Sequence, residues 1–280
     1  MTLRRRPVRP TEPHLGYRTA EDIATPFAAF FNPAMAPLAP HVAAAVNSGP
    51  QAGDLLTALE DAGSLLRTER EATETGYALL PDGSMRVAVH TLMPGVTPAM
   101  WDWWFSWHGD DTRKYKLWHP RAHVSAQWAD DDVHHGLRTY VGRTSFVDEY
   151  LGSRLTHASI RFVPPHELGL DEDALADPEE ATAICARVGL SNQPIDAGYL
   201  LHHVRRTPDG AEMRSRFWVG GRHAALRTGK PGRSRALPAI AGRVAAMDAQ
   251  RATDLMVHCA QEMAHLASFL PAIHERFRND

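Results

Sequence analysis

The chain has 280 residues, and its 30 basic against 33 acidic side chains leave a formal charge of −3 with the histidines counted neutral. That balance argues against a nucleic-acid polyanion as partner. With 44% hydrophobic and 22% charged residues the composition is that of a globular chain, neither disordered nor fibrous.

Residues 1–10 are arginine-rich and are followed by a polar, proline-containing stretch with no apolar core, so no export signal is expected there. From Thr19 to about Arg67 an alanine-rich helical pattern is interrupted by Pro26, Pro33, Pro37, Pro40 and Pro50, which predicts several short helices. Within it, Asp54 to Leu66 carries Leu55, Leu56, Leu59, Leu65 and Leu66 near one helical stripe. Residues 1–74 are therefore read as an N-terminal helical region.

At Tyr77 the period changes to that of a strand, followed by Pro81-Asp82-Gly83 and a second strand to Leu92, a hairpin signature. Thr97-Pro98 supplies a cap and first-turn proline for a tryptophan-rich helix. Strand patterns recur around Thr139 to Val147 and Leu155 to Val163, and Asp177-Pro178 reads as the start of a helix to Arg187. A second hairpin runs from Tyr199 to Arg206 and from Met213 to Val219, about the turn Thr207 to Gly210. Ala249 to Phe269 is the longest helical stretch, with Pro271 as its stop. The expected class is α+β, with residues 75–280 forming a helix-grip domain in which an antiparallel sheet curls round the long C-terminal helix. No apolar run approaches the roughly eighteen residues that a membrane helix requires. Cys185 and Cys259 lack Cys-x-x-Cys company, so neither a disulfide framework nor a zinc finger is expected, and a reducing, cytoplasmic setting follows.

Sixteen histidines point to chemistry, because imidazole is the commonest transition-metal ligand and titrates near neutrality. His258 and Glu262 stand four apart in an apolar helical stretch, one turn above the other on one face, where both can reach one ion. In Tyr115-Lys-Leu-Trp-His119-Pro-Arg-Ala-His123, Pro120 disfavours helix at His119. A strand entering a turn is expected, with at most one of the two histidines meeting the helix pair. Glu149 is an acid inside an apolar strand pattern. His202 and His203 are adjacent and face opposite sides of a strand; Leu200 and Val204 make the His202 face the more apolar one. Gly220-Gly221 and Gly229 to Gly232 lack the spacing of a phosphate loop, and Gly-x-Ser-x-Gly is absent.

Together the run Tyr115 to His123, the strand ending at Glu149, the hairpin from His202-His203 to Arg214-Ser-Arg-Phe-Trp218, and His258-Cys-x-Gln-Glu262 resemble the diacetylphloroglucinol hydrolase family, which includes phloretin-type hydrolases. The resemblance spans roughly residues 75 to 270. It implies a Bet v 1-like, zinc-dependent hydrolase that cleaves the carbon-carbon bond between an acyl group and a phenolic ring. Carried over residue by residue, it implies His123, Glu149, His258 and Glu262 as Zn2+ ligands, a set zinc accepts. It also implies Tyr115 as the holder of a phenolic oxygen and His203 as the catalytic histidine, with His202 as the alternative. Trp218 and Ala126 stand where the family carries a tyrosine and an asparagine, so substrate specificity is expected to differ there. Trp103, Trp104, Trp107, Trp118 and Phe217 are candidate walls for a planar phenol. The implied partner is a small acylated phenol, and a homodimer is compatible with the resemblance. Two other readings share the same residues: a helix-grip binding protein, and a zinc hydrolase of another polyketide-like ketone or ester.

Overall fold

The structure, a computed structural model, describes residues 16–130, 138–227 and 247–279. The arginine-rich start at 1–10 and Gly229 to Gly232 lie outside the described residues.

Short helices α1 (Ala20–Ile23) and α2 (Pro40–Ser48) occupy the proline-punctuated lead-in. The leucine stripe from Asp54 to Leu66 is not one α-helix but two 3-10 stretches, Gly53–Leu55 and Leu59–Leu66. Extended backbone at Leu56 and Ala58 separates them. Gly63 in the second sits so close to the Gly169 carbonyl that a Cβ would lie 2.6 Å from it, so this segment packs directly on the end of the 3-10 turn Pro165–Leu168.

The first hairpin pairs β1 (Gly76–Leu79) with β2 (Ser84–Pro94), and Gly83 takes φ +81° in its turn, a conformation glycine adopts without strain. Helix α3 (Pro98–Trp107) follows with its proline in the first turn, although Thr97 makes no side-chain cap bond. Helix α4 (Thr112–Trp118) is capped by the Asp111 carboxylate, which accepts from the Arg113 N–H. Tyr115 to Trp118 are therefore helical rather than extended. Pro120 acts only on His119, whose φ of −139° and ψ of 87° end the helix.

The remaining strands are β3 (His123–Trp128), β4 (Thr144–Leu151), β5 (Arg154–Val163), β6 (Ala181–Leu190), β7 (Ile195–Thr207), β8 (Gly210–Gly220) and β9 (Ala225–Leu226). Residues 181–187 form a strand where a helix was expected. The Asp177 start signal is used for a single turn, its carboxylate accepting from the Glu179 N–H, before the chain extends at Ala181. β6 is buried on both faces from Thr182 to Arg187, so it shows no alternation by which a strand could be read.

All pairings are antiparallel, in the order β1-β2-β8-β7-β6-β5-β4-β3, with β9 beside β7. The long helix α5 (Ala249–Ala267) lies against β1, β2 and β4, strands from opposite ends of that order. The sheet thus wraps the helix, which is the helix-grip arrangement. Pro271 does not stop the chain's helicity but occupies the first turn of α6 (Leu270–Phe277). No helix of the described residues is long and apolar enough to cross a membrane.

Two cores result. On the concave face Val87, Leu200, Met213 and Phe217 meet Met256, Cys259 and Met263 of α5 and the tryptophans of α3 and α4. On the convex face Ala183, Cys185, Leu201 and Trp218 pack beneath Leu65 of the second 3-10 stretch. The two cysteines are free, buried, and on opposite faces. Convex Arg214 and Arg216 are almost wholly buried and reach Glu74 at 2.8 and 2.7 Å, and Arg216 also reaches Glu71 at 2.9 Å.

Candidate metal centre

His123 opens β3 and pairs directly with Glu149 of β4, next to a register shift between His123 and Ser125. The edge of the sheet therefore delivers an imidazole and a carboxylate side by side. From the other direction α5 presents His258 and Glu262, one turn apart. His123 Nε2 lies 3.4 Å from Glu262 Oε2 and 3.9 Å from Glu149 Oε2; His258 Nε2 lies 3.6 and 3.9 Å from the same two oxygens. Donors on a tetrahedral zinc with bonds near 2.05 Å stand about 3.3 Å apart, so this spacing suits a zinc-sized ion. The four expected ligand residues are thus brought together, and His123, His258 and Glu262 are the tightest group, with ligand atoms within 4.8 Å of one another.

The ring orientations point the same way. His123 Nδ1 donates to the Tyr115 carbonyl at 2.9 Å. Its Nε2 is then a bare lone pair, buried and without a hydrogen-bond partner, which is the arrangement of a metal-ligating histidine held by an outer partner. Burial, then the neighbouring His258, holds the His123 imidazole well below its usual range, and burial lowers His258 as well. Burial and then the Glu149 charge push the Glu262 carboxyl well above its usual range. Two neutral imidazoles and two crowded carboxylates make a site deficient in positive charge, which a divalent cation corrects.

Tyr115 closes the group. Its ring stacks on His123 with centroids 3.7 Å apart and planes 3° apart, and its hydroxyl donates to Glu149 Oε2 at 2.5 Å. Burial, reinforced by Glu149, raises its phenol well above the usual value. Tyr115 therefore keeps its proton and acts as a donor.

The other expected site residues divide by face. His202 faces inward, its ring 5.7 Å from Phe217 and 6.4 Å from Phe105, and burial pulls its pKa down to about 3. Ala126 also faces the main core, with both backbone polar groups bonded to the Thr112 hydroxyl. His203 and Trp218 do not join them. They lie on the convex face, where burial and the charges of Arg214 and Arg205 lower His203 to about 4 and the Trp218 indole donates to the Thr57 carbonyl at 2.9 Å. Strand alternation enforces the split: if His202 and Phe217 point inward, their neighbours cannot. Among the expected wall residues, Trp118 stands 5.5 Å from His123 and 5.4 Å from Phe105, inside the same aromatic group. Trp103 and Trp107 instead stack on each other, and Trp107 on Phe277 of α6.

One site residue went unassigned in the sequence. His119 is buried, its ring 4.9 Å from that of His258 and stacked at 17°. Burial first, then His258, pulls it down to about 3. Both histidines of the Tyr115 to His123 run therefore reach α5, because the bend at Pro120 folds His119 back beside His123. A cleft of about 260 Å3 opens beyond them, lined by His119, Arg121, Tyr150, Gln261 and the outer side of His258.

Residues 55–275 match the family model described as the DAPG hydrolase PhiG domain. A 2,4-diacetylphloroglucinol hydrolase of Pseudomonas protegens is 34% identical over 83% of this chain and 78% of its own. Phloretin hydrolase of Eubacterium ramulus is 30% identical over 69% of this chain and 72% of its own. Among solved structures, Ara h 8.0201 aligns at 9% identity with a TM-score of 0.40, over 68% of this chain and 99% of that one. The match over most of the chain places this protein in the DAPG hydrolase family.

Proposed function

We propose that this protein is a zinc-dependent hydrolase that cleaves the bond between an acyl carbon and a phloroglucinol-type ring, releasing a carboxylic acid. The observation that carries the reading is the meeting of His123, Glu149, His258 and Glu262 beside Tyr115, in a chain related to two hydrolases named for acylated phloroglucinol-type substrates. Hydrolysis of an aryl ketone adds the hydroxyl of water to the acyl carbon and a proton to the ring carbon, so the site must polarise the carbonyl and manage that proton. His123, Glu149, His258 and Glu262 would hold the zinc, which would supply a Lewis acid for the acyl carbonyl.

Tyr115, its one proton committed to Glu149, presents its hydroxyl oxygen as an acceptor for a phenolic hydroxyl of the substrate. Glu149 accepts from Tyr115 and fixes its direction. His202 is the inward histidine and takes the role for which His203 was the first expectation. Phe105 and Phe217 beside His202, and Trp118 beside His123, are the apolar side chains we assign to the flat ring of the substrate. The test is metal analysis of purified protein alongside a chromatographic assay with diacetylphloroglucinol and phloretin. About one zinc per chain with release of acetate or a phenylpropanoic acid supports the reading. Zinc without acyl release from either compound refutes the acylphenol hydrolase and leaves a zinc hydrolase of another ketone or ester, or a binding protein.

A further inference from the structure

His202 makes one side-chain hydrogen bond among the described residues: its Nδ1 lies 2.8 Å from the Oγ of Ser215, the residue directly opposite it on β8. Ser215 is wholly buried, and its other polar neighbour is the thiol of Cys259, one residue beyond His258 on α5. Cys259, Ser215 and His202 thus stand in sequence from the helix that carries the metal-site residues to the inward imidazole.

Ser215 has a single proton to place, and its two neighbours compete for it unequally. An imidazole lone pair is a strong acceptor, whereas a thiol sulfur is a weak one and its S–H can itself donate. The arrangement that satisfies every member has the thiol donating to Ser215 Oγ and the Ser215 hydroxyl donating to His202 Nδ1. The ring proton of a neutral His202 is then on Nε2, the nitrogen away from Ser215. The reverse arrangement would put the hydroxyl proton on sulfur, the poorest acceptor present.

We propose that Ser215 is a positioning residue that locks His202 as the Nε2–H tautomer, so that the ring presents a hydrogen-bond donor to a phenolic or carbonyl oxygen of the substrate. This rests on the proposed function only for the identity of that oxygen; the lock itself is a property of the chain. It makes His202 a donor in the resting site rather than a proton acceptor at Nε2. Burial of the ring keeps it neutral at physiological pH and so preserves the choice of tautomer.

The test uses the zinc-loaded full chain labelled with 15N-histidine, with the His202 signals assigned by difference against His202→Asn. Long-range 1H–15N correlation reads which ring nitrogen carries the proton. Expected are an Nε2–H ring in the wild type and a loss of that uniform state in Ser215→Ala. In the same variant kcat falls by about tenfold or more, with KM little changed. Ser215→Thr, which returns the hydroxyl, restores both tautomer and kcat. An Nδ1–H ring in the wild type overturns the proposal even if Ser215→Ala fails to fold. So does a Ser215→Ala protein that keeps both the Nε2–H ring and its kcat. If the wild type cleaves no acylphenol, the proposed function fails, while the two spectra still decide the lock.

Discussion

Replacing Glu262 with glutamine separates the two things the metal site does to the fold. Oxygens of Glu262 and Glu149 lie 3.4 and 3.9 Å from the same His123 nitrogen, so they stand no more than about 7 Å apart. At an effective dielectric constant near 20, two carboxylates at that separation repel by about 2 kcal/mol. Without metal the wild type carries this repulsion, or avoids it by binding a proton on Glu262, whose carboxyl is held well above its usual range by burial and by Glu149. Glutamine keeps the shape and removes the charge. Metal-free Glu262→Gln is therefore expected to be about 1 to 2 kcal/mol more stable than metal-free wild type, a rise of several degrees in melting temperature. With zinc the order reverses. A ligand in thousandfold excess over its Kd stabilises the wild type by about 4 kcal/mol, and the variant, lacking one donor, gains far less. Thermal melts with chelator and with zinc, together with metal analysis, give all four values. A variant that is less stable than wild type in chelator, yet binds zinc at full stoichiometry, would refute both the charge argument and the ligand role.

Three further outcomes are expected. Tyr115→Phe removes the hydroxyl that donates to Glu149 while leaving the four metal-site side chains intact, so zinc content should hold while kcat drops by about 10- to 100-fold; unchanged kcat would remove Tyr115 from the chemistry. Trp218→Ala empties a buried site on the convex face and breaks the bond to the Thr57 carbonyl. It should cost about 3 to 5 kcal/mol in chemical denaturation without altering KM, and a change of substrate preference instead would contradict the convex placement. For Glu74, burial opposes ionisation, but the Glu71 N–H and the Arg216 and Arg214 guanidiniums outweigh it and hold its pKa at about 2. A depressed carboxylate stabilises the fold above its unfolded value near 4.5 and loses that contribution as pH falls toward 2. Acid titration of stability should show up to about 3 kcal/mol lost in that window, and Glu74→Gln should flatten the loss.

Hairpins were the most legible part of the fold, because Pro81-Asp82-Gly83 and Pro208-Asp209-Gly210 announce their turns chemically and the flanking strands alternate. β6 was not, since a strand buried on both faces loses the alternation that identifies it, and an adjacent helix-start signal filled the gap. The pair His258 and Glu262 followed from helical spacing alone. Its meeting with His123 and Glu149 did not, because the register that sets His123 against Glu149 depends on a pairing across a long connection. At His202 and His203 strand periodicity pointed to the inward residue, His202, while family resemblance had favoured its neighbour, which shares the convex face with Trp218. His119 stayed hidden because a proline-induced bend is visible in sequence but its direction is not.

The grip has a consequence for how the protein is made. His123 and Glu149 come from neighbouring strands at one edge of the sheet, whereas His258 and Glu262 arrive on α5, roughly a hundred residues later in the chain. During synthesis the first two donors emerge well before the others, so no four-donor site exists until the last long helix has docked. A metal ion seated there would be a non-covalent cross-link that closes residues 123–262 into one loop. Closing so long a loop restricts the unfolded chain strongly, so zinc would stabilise the whole fold rather than its own neighbourhood, and its loss would loosen α5 from the sheet first.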